Sequence, residues 1–208
     1  MYHDSVYPVS QTGSTGMAFE AGASGKNLTE WQFGMASLNP RWNVSGTYMQ
    51  VLPSFISTDQ DGNDEKEFLL DYFNELPDLL SMVFLKGYQW PFDVNKIFGG
   101  SSVIDLLVYQ ETVLKKRRVF LDYRVNPGNL EKDRDLPYAS MIPEAKEYLS
   151  QAGACFGTPI ERLKHMNEPA ILFYQDHHVD LFKERLEIAV CAQHNNGGLS
   201  TNHLWETN

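Results

Sequence analysis

One segment near the end of the sequence combines residue types that suit a ligand site. It reads QHNNGG over residues 193–198 and follows a short apolar run. A histidine such as His194 donates or accepts a hydrogen bond near neutral pH, and paired glycines let the backbone approach a ligand closely or adopt a positive φ. The alternative is a glycine turn with a surface histidine, which the residue chemistry alone favours.

A second glycine-containing loop lies near the other end of the sequence. It reads TGSTG over residues 12–16 and precedes a short stretch with helical spacing. Backbone amides at the start of a helix can hold an anion, but the loop matches neither GxGxxG nor a P-loop. Taken alone, it is more typical of a capped helix, with Ser14 or Thr15 as the cap.

The cysteines and histidines do not have the spacing of a metal site. His177 and His178 are adjacent, His165 lies twelve residues before His177, and neither Cys155 nor Cys191 belongs to a CxxC pair. Zinc sites need ligands whose spacing lets them converge on one ion. We therefore predict no metal, and we expect both cysteines to be buried structural thiols.

The elements that must position these residues are mostly helical. Apolar residues at helical spacing predict a helix over 65–86 with a break near Pro77, and further helices follow along the chain. Those helices cover 103–114, 143–154, 159–165 and 169–178. Apolar runs predict short strands at 119–123 and 187–192, with an extended segment at 46–56. The predicted fold class is therefore α+β.

Composition and charge exclude several classes of protein. The chain has 208 residues, 42% of them hydrophobic, with a formal net charge of -10. This is enough apolar material for a core, and too acidic a balance for wrapping nucleic acid. The sequence has neither an apolar run of membrane-spanning length nor a signal-peptide pattern after Met1–Asp4, so we expect a cytoplasmic protein without a transmembrane segment.

The order of three sequence pieces resembles the middle of the flavoprotein subunit of succinate dehydrogenase and fumarate reductase, and of the related aspartate oxidases. The pieces are GSTG, MA and AGA within 13–23, VFLD at 119–122, and EIAV at 187–190 followed by His194 and Gly197-Gly198. They are similar, in that order, to the stretch where the family's chain leaves the FAD domain, to a strand of its mobile capping domain, and to its substrate-contacting histidine and double glycine.

The resemblance implies a fold and a division of the chain. The fold is a helix-rich capping domain on the substrate side, with a few short strands and without the Rossmann-like FAD domain. Residues 1–26 would leave the FAD domain, residues 27–186 would form the capping domain, and residues 187–208 would return. The family's GxGxxG fingerprint and its later glycine-rich segment do not occur here, so the sequence is interpreted as a fragment that is inactive alone.

The resemblance also implies the site. FAD, bound in the longer chain, performs hydride transfer, and His194 contacts a small-molecule substrate such as a small acid or an enone. Residues expected to approach the flavin through backbone atoms are Gly13, Ser14, Thr15, Gly16, Gly197 and Gly198. The partners expected are that substrate and the missing FAD domain of the same chain.

The sequence departs from the family pattern where the chemistry of fumarate reduction depends on it. The family's acid near Gly13 or Ser14 is absent, its proton-donating arginine near Gly100 or Ser101 is absent, and Cys191 replaces a usual proline. These differences favour a related oxidoreductase with another substrate. Candidates to line a substitute pocket, with packing as the alternative role for each, are Arg41, Trp42, Tyr48 and Trp90.

A binding function is the alternative to an enzyme. In that interpretation the chain is a complete α+β module that holds a small ligand or a partner protein. The aromatic residues Tyr88, Trp90 and Phe92 would then be interface anchors, since buried aromatic side chains dominate many interfaces.

Overall fold

A computed structural model describes residues 13–129 and 136–208. The predicted α+β class is confirmed. The α-helices of the described residues are Ser14–Glu20 (α1), Thr47–Gln50 (α2), Leu76–Lys86 (α3), Ser102–Tyr109 (α4), Pro143–Gln151 (α5) and Pro159–Asp176 (α6). The strands are Gly25–Lys26 (β1), Trp31–Leu38 (β2), Arg41–Asn43 (β3), Ser54–Thr58 (β4), Arg118–Asp122 (β5), Leu186–Asn195 (β6) and Gly198–Leu199 (β7). Residues 1–12 of the predicted segment 1–26, including Met1–Asp4, lie outside the described residues.

The centre of the molecule is a five-stranded sheet in the order β3-β2-β6-β5-β4. Every neighbouring pair in it is antiparallel. A Rossmann-like domain requires a mostly parallel sheet, so no such domain is present among residues 13–129 and 136–208. Strand β6 is the middle strand, and it therefore connects the candidate histidine directly to the core.

A smaller sheet continues the central one outward. Strands β1 and β7 pair antiparallel, Gly25 opposite Leu199, and β2 pairs with β6 beyond them, Trp31 opposite Asn195. We call this the terminal ribbon, residues 24–33 with residues 192–200. Both ends of the described chain leave the sheet through this one ribbon.

Helix α6 joins two helices that the sequence analysis predicted separately. It begins with a capping box in which Thr158 and Glu161 bond each other's backbone amides, with Pro159 in its first turn. Pro169 lies inside it, and Asn167 has a non-helical backbone conformation. A proline within a helix removes one amide hydrogen bond and clashes with the preceding turn, so α6 consists of two helical segments separated at Asn167, as the sequence predicts for 159–165 and 169–178.

Two other predictions about local structure are wrong. Residues 47–50 of the predicted extended segment form α2, and only residues from Ser54 onward form a strand. The helix predicted over 65–86 covers only Leu76–Lys86; the predicted break near Pro77 is present, because α3 begins there with Pro77 in its first turn. This is the helical position that tolerates proline best, because the first-turn amides have no intrahelical partner.

Among residues 13–129 and 136–208, Arg162 is a fully buried cation whose recorded hydrogen-bond partners are all neutral oxygens. Arg162 of α6 is 0% exposed. Its guanidinium donates to the carbonyl oxygens of Val51, Phe156 and Gly157, and to Oδ1 of Asn126 at 2.9 Å. Burying a charge is costly unless hydrogen bonds compensate it. Arg162 therefore ties the start of α6 to the segments before β4 and after β5.

A second buried charge lies at the end of β5. The Asp122 carboxylate, 1% exposed, accepts from Arg124 Nη2 at 2.7 Å and from Arg185 Nε at 2.8 Å. Burial raises the pKa of Asp122, but the hydrogen bonds from the two arginines outweigh burial and bring its pKa below the ordinary value. Arg185 also bonds Glu65, so this cluster joins three separate parts of the chain.

Candidate functional site

The predicted site residues at the end of the chain lie in the terminal ribbon. His194 is opposite Gln32 across β6 and β2, and Gly198 is opposite Lys26 across β7 and β1. The structure describes only the backbone of His194. Helix α1 lies beside β7, so the structure brings both predicted glycine-containing segments to the same end of the molecule.

The two glycines of the pair have different surroundings. A Cβ on Gly197 would overlap the backbone of Lys26 and Asn27, whereas a Cβ on Gly198 would meet nothing within 4 Å. The preceding amide, that of Asn196, donates to Glu30 O at 2.7 Å. The close approach of the Lys26–Asn27 backbone therefore requires a glycine at position 197, whether or not a ligand binds.

The loop before α1 does not form an anion site of its own. Gly13 occupies the N-cap with φ 99°, and no side chain caps the helix, so the expected capping role of Ser14 or Thr15 is wrong. All four residues of 13–16 are exposed, and α1 has seven residues with no basic side chain in it. The described residues alone therefore offer backbone amides to a flavin and do not enclose one.

A buried arginine reaches the ribbon beside the histidine position. Arg41 of β3, 5% exposed, donates from Nη2 to Ala192 O at 3.3 Å and to Gln193 Oε1 at 3.2 Å. Gln193 in turn donates to Gly34 O at 2.8 Å. These donors bond acceptors of the protein itself, so Arg41 and Gln193 fix the end of β6 against β3 and β2.

The cysteine in the same strand is not set up as a nucleophile. Burial raises the pKa of Cys191, and the charge of Arg41 opposes that effect only partly. The thiolate is the reactive form of cysteine, so Cys191 stays protonated at neutral pH. Cys155 is exposed, which corrects the expectation that both cysteines are buried, and its pKa is also raised, mainly by burial.

The other candidate pocket residues serve packing. Trp42 contacts Phe173 with ring centroids 4.9 Å apart. Tyr48 is buried and donates to Ala170 O, and burial raises its pKa to about 12. Trp90 lies over Gly34 and donates to a β2 carbonyl oxygen. Arg41 is thus the member of that group with polar contacts at the end of β6.

The surface around the ribbon is unusually apolar for an exposed region. No residue in 13–33 or 196–208 is buried. Its exposed large hydrophobic side chains are Met17, Leu28, Trp31, Phe33, Leu199, Leu204 and Trp205. Trp205 is the most exposed of these side chains, at 86%.

A separate cleft of about 460 Å³ lies at the opposite end of β6. Arg118, Arg124 and Arg185 line it together with Glu184 and Glu187. Each of the three arginines bonds a carboxylate. The cleft therefore has no excess positive charge with which to hold an anion.

Sequence reasoning missed the contact between β3 and the end of β6, because nothing local in the sequence shows that Arg41 faces Gln193. The glycine pair indicated that glycine is needed at position 197, but nothing in the sequence indicated the cause, which is the backbone of the distant Asn27.

None of the described helices combines the length and apolar character needed to cross a bilayer, and residues 13–129 and 136–208 contain no cluster of three metal-ligating side chains.

Comparison with known proteins adds no relative. No protein-family model, curated protein or solved structure matches the chain.

Proposed function

We propose that this chain is the capping, substrate-side region of an FAD-dependent oxidoreductase, joined through the terminal ribbon to an FAD domain of the same longer chain. FAD, when bound there, supplies hydride transfer. The capping region would close over the flavin and substrate and exclude water. The sequence resemblance to the flavoprotein family of succinate dehydrogenase and fumarate reductase motivates this assignment.

The paired chain ends are the single observation that carries the proposal. Strands β1 and β7 run side by side, so the chain reaches the body and leaves it at one place. This is the geometry expected of a domain inserted into another domain. The exposed Met17, Trp31 and Trp205 would then be covered by the second domain, since a surface of this kind marks an interaction site.

In this proposal, one residue of the terminal ribbon contacts the substrate and others hold the end of β6 in place. His194 would hydrogen-bond an anionic or carbonyl oxygen, and Arg41 with Gln193 would support that end of β6. Neither Gly100 nor Ser101 supplies the proton-donating arginine of the resembled family, and Ser101 is fully buried. The proposed substrate is therefore a small acid or enone other than the family's own dicarboxylate.

A visible absorption spectrum of the protein purified from its full native reading frame tests the cofactor. We expect a flavin spectrum that the 208-residue piece lacks. A colourless protein from the full frame, or a frame that ends at Asn208, contradicts the proposal.

A substitution tests the histidine in the same full-length protein. His194→Ala should lower turnover while the flavin stays bound, as judged by the unchanged absorption spectrum. His178→Asn is the control, because His178 is an exposed histidine in the turn after α6 with a φ of 65° that asparagine tolerates. Equal steady-state kinetics in the His194→Ala and His178→Asn variants would show that His194 does not contact the substrate.

One observation favours the alternative of a stand-alone binding module. Phe98 is 92% exposed and Val94 is 65% exposed in the segment between α3 and α4. Of the predicted anchors, Tyr88 is 45% exposed and fits this role, whereas Trp90 lies over Gly34. A reading frame that starts at Met1 and stops after Asn208 would favour this module.

A further inference from the structure

The segment between α3 and α4 is held to strand β2 by several contacts, although its tip is exposed. We call residues 87–101 the strap. Trp90 lies over Gly34, where a Cβ would come within 2.5 Å of the indole nitrogen. Phe92 N donates to Phe33 O at 2.8 Å. These contacts hold the strap against β2, while Phe98 extends into solvent.

Polar contacts also close the two ends of the strap on each other. The Ser101 amide donates to Gln89 Oε1 at 2.9 Å, and the Asp93 amide donates to Ser102 Oγ at 3.0 Å. The start and end of the strap are thus bonded across the junction of α3 and α4. Opening of this junction would therefore break the contacts at both ends of the strap together.

A buried ion pair lies at that junction. Lys86, the last residue of α3, is 0% exposed and places Nζ 2.5 Å from Asp105 Oδ2 in α4. Lys86 Nζ also donates to Gln89 O at 3.2 Å. Burial lowers the pKa of Lys86 and raises the pKa of Asp105, although each group's charge opposes the effect on the other.

The junction is incompletely satisfied in its closed form. Within the described part of the chain, Asp105 Oδ1 and Ser101 Oγ are buried without a hydrogen-bond partner. Buried polar atoms of this kind cost free energy that water recovers once they are exposed. The closed strap therefore contains both the contacts that hold it and a local reason to open.

We propose that the Lys86–Asp105 pair is a latch, and that the strap opens from the body as a unit when the pair separates. Opening transfers Lys86, Asp105 and Ser101 to water together and frees the backbone of the strap. Segments that open below the level of global unfolding are common in proteins, and moving loops are drawn from them. The latch is a property of the body and does not depend on the flavin assignment.

Amide hydrogen exchange of the full native chain, read by mass spectrometry on strap peptides and on an α6 peptide, tests the latch. Lys86→Met leaves Asp105 as a buried, unpaired carboxylate, so strap exchange should rise by on the order of 100-fold, with α6 rising far less. Lys183→Met is the matched control, because Lys183 pairs with Asp180 at 2.7 Å with its side chain 82% exposed. It should leave the strap unchanged.

A double variant should change the hydrogen-exchange rate of the strap in the opposite direction. Lys86→Met with Asp105→Leu removes both buried charges, so the strap should exchange about 10-fold more slowly than in the native protein. This arm stands even if the single variant fails to fold. The latch is overturned if the double variant exchanges as fast as or faster than the native strap. It is also overturned if a folded Lys86→Met protein shows no rise, or an equal rise in strap and α6.

Discussion

The body of the molecule differs from its ends in how deeply it buries its side chains. The body is residues 34–129 and 136–193, and the ends are residues 13–33 and 196–208. In the body even a cation such as Arg162 is fully buried and bonded to several acceptors. At the ends a large apolar side chain such as Trp205 stays in water, and no residue there is buried. The described body therefore has a buried core of its own, whereas the ends have the exposed apolar surface expected of an interface.

The largest effect should come from removing the buried cation of the body. Arg162→Met removes the side-chain donors of the Val51 and Phe156 carbonyl oxygens, so the free energy of unfolding should fall by about 3–5 kcal/mol. Urea denaturation measures the loss. The control is Lys164→Met in the same helix, with an exposed side chain, for which a change within about 0.5 kcal/mol is expected. Similar losses in the two variants would contradict the central role of Arg162.

A smaller effect should appear at low pH. The pKa of Asp122 is lower in the folded protein than in the unfolded chain, so its ionisation stabilises the fold above about pH 4. That contribution is lost as the pH falls through the folded pKa. Urea denaturation between pH 6 and pH 2.5 should show this decline.

The variant Asp122→Asn separates this carboxylate from the others. It should be less stable than the native protein at pH 6, and the difference should narrow as the pH falls. A constant difference across the range would mean that Asp122 is not the titrating group.

A local effect should distinguish the two ribbon glycines. Gly197→Ala places a methyl group against the backbone of Lys26 and Asn27, so the ribbon should loosen while the body stays intact. Gly198→Ala has open space at its Cβ and should leave the ribbon unchanged. Hydrogen exchange of residues 24–31 compares the two, and equal exchange would show that the crossing does not need a glycine.

The smallest effect should come from the exposed tryptophan of the ends. Trp205→Ala should change the free energy of unfolding of the 208-residue chain by less than about 0.5 kcal/mol, because the side chain buries little here. Denaturation followed by circular dichroism avoids relying on the fluorescence of the residue removed. A loss above about 1 kcal/mol would mean that the ends belong energetically to the body.

The sequence predicted elements whose signals are local. Continuous apolar runs identified β5 and β6, and helical spacing identified α4. Strand β2 was missed because Gly34 and Ser37 interrupt its apolar pattern, although both are buried in the sheet. Such a strand is recognised only through its pairing with β6.

The features on which the proposals rest depend on contacts distant in sequence. Lys86 and Asp105 are nineteen residues apart, and neither residue has a local mark that shows it is buried. Arg41 reaches Gln193 across 152 positions. The sequence singles out residues 193–198 because residue type and order can be read from it directly. The residues that contact this segment are set by the tertiary fold and cannot be read in the same way.

The pairing of β1 with β7 has a consequence for protein engineering. Residues directly opposite in an antiparallel ladder have Cα atoms about 4.5–5.5 Å apart, so a turn of a few residues can join Gly25 to Leu199. The continuous chain could then be reopened in the exposed turn at 60–64, giving a circular permutant whose sheet order is unchanged. If β1 and β7 are instead left unjoined, the same two neighbouring strands allow the body to be inserted into a loop of a host protein.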